Sequence, residues 1–172
     1  MYQQAPYVSL PGDVKDLLLY ATFWLELVHH HHSTEEDELF PAVAAIAGKQ
    51  GIMDVNIEQH RAFGGGMSGF EKYVKACIEG EPFEEKRFRR LIDGFGAELS
   101  KHLGDEILTL LALDIYDIKA VRKEYDNFDR RMRSGPKVCS HVYRKLDFYK
   151  VGLCGFTGPA ISPRYGMRRS CL

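Results

Sequence analysis

The chain has 172 residues, 45% hydrophobic and 27% charged, which suits one globular domain with a real core. No apolar run approaches the ~20 residues a bilayer requires, and a formal net charge of −1 gives no steering toward nucleic acid. The near-zero total hides an asymmetry: Met1–Arg133 carries 16 basic and 23 acidic residues and the remainder 7 and 1, so a helical domain over 1–133 is expected to give way to a basic, disordered tail over 134–172.

Pro6, Pro11 and Gly12 break the opening segment, and Asp13 is the expected N-cap of a first helix from Val14 to about Ala47. Leu17, Ala21, Trp24, Val28, His31 and Glu35 alternate steps of four and three and form one stripe; Leu18, Leu25, His32 and Leu39 form a second beside it. Pro41 is expected to kink this helix near its end. A second helix is predicted from about Met53 to Ile78, with Met53, His60, Met67 and Val74 recurring every seven residues. Gly64, Gly65 and Gly66 interrupt it at roughly 1 kcal/mol each relative to Ala, so it is expected to be weak or bent there. A third helix runs from about Glu84 to Leu113, with the stripe Phe88, Ile92, Phe95, Leu99, His102, Glu106, Leu110 and Leu113. A fourth, short and polar, covers Tyr116–Arg133 and is expected to be solvated. The tail from Ser134 shows no period. Three of four cysteines lie in it, none in CxxC spacing, and no secretory signal opens the chain; free thiols and a cytoplasmic setting are expected. Cys139, His141 and Cys154 match no closed zinc framework.

The chemistry lies in where the histidines and glutamates fall. His31 and Glu35 are four apart on the apolar stripe of the first helix, and His102 and Glu106 are four apart on that of the third. Residues at i and i+4 project from one face, one turn apart. His60 lies on the stripe of the second helix. Three helices therefore aim titratable groups at one interior. Unpartnered, these groups would be very costly to bury, and a cation resolves the cost by taking ionised Glu and neutral His together. A His and carboxylate set without Cys favours iron, with manganese behind it, and inward His and Glu at short helical spacings are how bundles build di-iron sites. Glu35 and Glu106 are the bridging candidates. Each HxxxE pair alone is commonly a surface salt bridge, and a lone His60 a hydrogen-bonded core histidine; two pairs in register with strong apolar stripes are not readily accidental. In the run His29–His32, His31 fits the main stripe and His32 its neighbour, while His29 and His30 face solvent or stand behind the ligands. Glu36 is a weak extra candidate; Asp37 and Glu38 are read as solvated.

HHSTEEDELFP at His31–Pro41 resembles the HHxxEExxLFP core of hemerythrin-like (HHE) cation-binding domains, and EQHRAF around His60 and HLGDEI at His102–Ile107 resemble that family's later motifs. QAP near the start, GIMDVN before EQH and LIDGF before HL are similar to its fungal branch, so that the resemblance spans about residues 2–117. It implies an all-α, up-down helical bundle around a non-haem di-iron centre, with oxygen or nitric oxide binding, iron sensing or storage, or redox chemistry. Position by position it implies His31, Glu35, His60, His102 and Glu106 as metal ligands, with His32 joining them as a second ligand directly after the first. Two departures stand out. Members often carry His where this chain has Gly64, and the family's first helix, with its own ligand His, has no counterpart before the QAP segment.

Three main helices of the bundle are thus read as present. Losing one helix exposes a groove worth several kcal/mol at about 25 cal/mol per Å², so marginal stability or a homodimer through that groove is expected. Trp24, Phe63, Met67 and Phe95 are the candidate apolar surroundings for a small diatomic ligand. Three functional readings follow: a binding, sensing or storage module, favoured because no acid–base pair accompanies the ligands; a di-iron oxidase or ferroxidase; and a truncated fragment with an incomplete metal site.

Overall fold

The computed structural model describes residues 1–134; Cys139, His141, Cys154 and the expected disorder of the tail lie outside the described residues. Every regular element among them is helical: α1 (Pro11–Thr34), a π-helical turn (Glu35–Leu39), α2 (Phe40–Ala47), α3 (Asp54–Ile78), α4 (Glu85–Leu111), a 3-10 turn (Ala112–Ile115) and α5 (Ile118–Ser134). A short 3-10 turn at Ala5–Tyr7 precedes them.

The predicted first helix is present as one rod of three parts. It starts at Pro11, two residues before the expected cap. Leu10 is the N-cap and Asp13 lies in the first turn, where a carboxylate offsets the partial positive charge of the helix start. The expected kink at Pro41 takes the form of the π turn just before it. Pro41 has no N–H, and its ring would meet the carbonyl of the residue four back. The chain widens by one residue instead, and the Phe40 N–H reaches the carbonyl of Glu35. The rod ends at Gly48, whose φ of 61° is the left-handed conformation that caps helices most readily with glycine.

α3 packs against both α1 and α4 and forms the middle of the bundle, the short loops after Gly48 and Gly80 reversing the chain between them. The glycine run does not bend α3: the helix is continuous from Asp54 to Ile78. Gly66 explains part of the run, because a Cβ there would lie 2.7 Å from the Cβ of Phe95 on α4. The absent side chain lets the two helices approach.

Two apolar clusters divide the bundle. One joins Leu17, Leu18, Ala21 and Leu25 of α1 to Phe63, Met67 and Phe70 of α3 and to Phe88 and Phe95 of α4. The other joins Leu39, Phe40, Val43, Met53 and Leu113 to Val121, Phe128 and Met132 of α5. α5 is therefore not the solvated helix expected from its charge. Its Val121, Phe128 and Met132 are buried against the π turn and α2, and Arg131 pairs with Glu38. Along each long helix the chain passes from one cluster to the other, and the histidines and glutamates fall at the crossing.

Candidate metal centre

His32, Glu35, His60, His102 and Glu106 are all buried between the two clusters, His102 completely; His31 is about one quarter exposed. The six residues singled out by spacing are thus brought together. Ring nitrogens of His32, His60 and His102 can lie within 4.8 Å of one another, and so can single ligand atoms of His31, His32 and Glu35. His32 belongs to both groups. Its ring lies 4.2 Å from that of His60 and 5.3 Å from that of His102, centroid to centroid.

The orientation of two imidazoles is set from behind. His60 Nδ1 lies 2.6 Å from Glu36 Oε1, and a carboxylate only accepts, so Nδ1 donates. His102 Nδ1 lies 3.2 Å from Gln59 Oε1. The Gln59 amide is itself oriented, since its Nε2 donates to Asp105 Oδ2 at 2.6 Å, and Lys101 holds that carboxylate from outside. His102 Nδ1 is therefore also the donor. Both neutral rings must then present bare Nε2 lone pairs, and these two nitrogens face each other at 3.1 Å. Neither has a proton to give the other.

The carboxylates repeat the pattern. Glu35 Oε1 lies 2.8 Å from His31 Nε2, and its Oε2 lies 3.7 Å from His60 Nε2. Glu106 Oε2 lies 3.8 Å from His102 Nε2. Glu35 Oε2 and Glu106 Oε1 are buried without a hydrogen-bond partner. Burial pushes both carboxyls up to about 8, and the Glu35 charge adds to the shift of Glu106. Burial pushes the imidazoles down, His102 to about 4 and His32 to about 2, with neighbouring histidines adding to each. His31 and His60 are lowered by burial as well. Lone pairs and acceptor oxygens from three helices thus converge, and the only protons among them are those that burial keeps on the two carboxyls, which a cation would displace. A cation suits this donor set, and two carboxylates with neutral imidazoles favour a hard or intermediate one.

The model of the hemerythrin HHE cation-binding domain matches residues 5–113, well over half of the chain. The chain belongs to this family. A curated fungal relative, the dimeric xanthone biosynthesis cluster protein R11 of Cryptosporiopsis sp. (strain 8999), is 41% identical over 126 residues. The match covers 70% of this chain and 47% of that protein, so this HHE chain spans about half the length of the curated relative. No solved structure matches.

Within this HHE domain, spacing had undervalued Glu36, which orients His60, and passed over Gln59 and Asp105, which orient His102. The Gln59–His60 and Asp105–Glu106 neighbour pairs on antiparallel helices are the only trace of them in the sequence. Phe128 of α5, edge-on to His31 at 5.4 Å, is a further contact the charge pattern concealed. His29 is exposed and pairs with Glu71, while His30 bonds within its own helix to Thr34. Of the apolar surroundings expected for a small ligand, Phe63 packs on His32, and Trp24 stacks on Phe95 in the main core.

Proposed function

We propose that this chain holds a non-haem iron centre, with two irons shared among His31, His32, Glu35, His60, His102 and Glu106, and that it binds oxygen or a similar diatomic molecule there, or senses or stores the iron. The observation that carries this reading is the pair of Nε2 lone pairs facing each other at 3.1 Å, their protons fixed on the opposite ring nitrogens. The orphaned oxygens of Glu35 and Glu106 support it. Glu35, with one oxygen toward His31 and the other toward His60, is the leading bridging carboxylate. Iron at such a site supplies open coordination positions and reversible one-electron chemistry. The protein contributes the orientation of the ligands.

The test is anaerobic reconstitution with ferrous iron, followed by metal analysis and exposure to oxygen. About two irons per chain and an absorption band that appears with oxygen and fades on its removal are expected. A refolded chain that takes up neither iron nor manganese would end this reading.

A di-iron oxidase is the second reading, favoured by the relative whose name places it in a biosynthetic cluster. Continued oxygen consumption with excess ferrous iron or an organic reductant would distinguish it from reversible binding. We further propose that the chain self-associates through the uncovered apolar face of α4, where Leu103, Ile107 and Leu111 lie four apart and exposed.

A further inference from the structure

A cleft of about 270 Å³ opens between α1 and α3, on the flank of His32 and His60. Phe63 and Met67, both buried in the main core, form its floor. Gly64 forms part of its wall, and a Cβ there would meet no atom within 4 Å. The space exists because that helical position carries no side chain. Ser33 and Arg61, both exposed, also line it, and the Ser33 hydroxyl donates to the His30 carbonyl at 3.1 Å. Arg61 has no ion pair among the described residues. Glu36 also lines the cleft, but its Oε1 is engaged by His60. His29 of α1 and Glu71 of α3, 3.4 Å apart, tie the two helices together beside it.

We propose that this cleft binds a small aromatic carboxylate of one ring, with the ring on Phe63, Met67 and the His32 imidazole and the carboxylate on Arg61. The volume is near the lower limit for organic ligands, which suits a single ring and exceeds what a diatomic needs. A floor of Phe63 and Met67 bounded by imidazole favours an aromatic body over a chain. A guanidinium with no ion pair among the described residues favours a planar carboxylate, which Arg can grip through two parallel hydrogen bonds. Such a ligand lies against the imidazoles from the side, and its binding does not require the metal.

Benzoate is the probe, with benzyl alcohol as its neutral counterpart, each titrated calorimetrically into chelator-treated and iron-loaded protein, with the amide resonances of Gly64 and Gly65 followed in the metal-free form. Saturable benzoate binding is expected in both forms, with the alcohol weaker by about tenfold or more, the worth of one charged hydrogen bond. Arg61→Gln should weaken benzoate to a similar degree. Gly64→Leu should abolish binding by filling the cleft while iron uptake persists. The proposal is overturned by an absence of saturable binding in both forms, by undiminished binding in Gly64→Leu, or by binding that needs iron and ignores Arg61→Gln. A chain that takes up no iron but binds benzoate through Arg61 would sink the metal reading and leave this one standing.

Discussion

His60 and His102 are held as ligands are held elsewhere, one ring nitrogen committed to an acceptor behind and the other aimed forward. Removing an acceptor frees the ring to rotate and lowers its basicity, which in metal sites generally costs 10–100-fold in affinity. Glu36→Ala is therefore expected to weaken iron binding by about that factor, measured by competition with a chelator, while leaving the fold intact because Glu36 lies at the edge of the core. Unchanged affinity would show that Glu36 plays no part in orienting His60. The same residues predict a pH profile for the metal-free chain. Glu35 and Glu106 have raised values, so their contribution to stability is full below about 4.5 and is lost as pH climbs through about 8. The imidazoles have lowered values, so theirs is full above 6.5 and is lost as pH falls toward 4. The two trends cross, and the melting temperature should peak between about pH 6 and 7. Iron displaces the carboxyl protons, so loading should flatten the alkaline side and release about two protons per chain at pH 7. A metal-free melting temperature that rises steadily to pH 9 would contradict this. The two HxxxE pairs were legible in the sequence because i,i+4 spacing on an apolar stripe is a local signal. Glu36, Gln59 and Asp105 were not, because their roles depend on distances between helices.

Spacing was a better guide to the elements than charge. Val121, Tyr125, Phe128 and Met132 follow steps of four, three and four, and that stripe is the buried face of α5, although the mixture of acids and bases around it suggested a solvated helix. Pro41 was rightly read as a disturbance, but nothing local distinguishes a kink from a π turn. The glycine run was the reverse case: composition suggested a weak helix, and the packing gives two of the three residues opposite meanings. Gly65 has open space where a Cβ would stand, so Gly65→Ala should stabilise by up to about 1 kcal/mol through helix propensity alone. Gly66 faces the Phe95 Cβ, an atom close to the backbone that cannot swing aside. Gly66→Ala must push α3 and α4 apart, at about 1–3 kcal/mol against the same propensity gain. Urea unfolding of the two variants should give shifts of opposite sign; a Gly66→Ala as stable as Gly65→Ala would mean that the close approach contributes nothing.

At the scale of the molecule, the bundle is built around α3, which has neighbours on both sides, while α4 keeps an exposed apolar face among the described residues. Leu103, Ile107 and Leu111 lie on that face at 47%, 36% and 65% exposure, with Leu108 and Ile115 exposed beside them. α5 packs on α1, the π turn, α2 and the 3-10 turn after α4, and these side chains stay exposed. A contiguous apolar strip of this kind usually marks a contact surface. Left bare, each half-exposed leucine forgoes roughly 1 kcal/mol of burial, and a few such terms are a large part of a domain's total stability. The 172-residue chain is therefore expected to associate at micromolar concentration, with a melting temperature that rises with concentration as linkage requires. Leu111→Lys places a charge in the strip well past Glu106, with its own side chain in solvent in the monomer. It should shift sedimentation toward the monomer and lower the concentration dependence, with iron content unchanged because no metal-facing residue is touched. A chain that sediments as a monomer at all concentrations and melts as high as an ordinary mesophilic domain would mean that the face is tolerated without a partner, and the association would have to be abandoned.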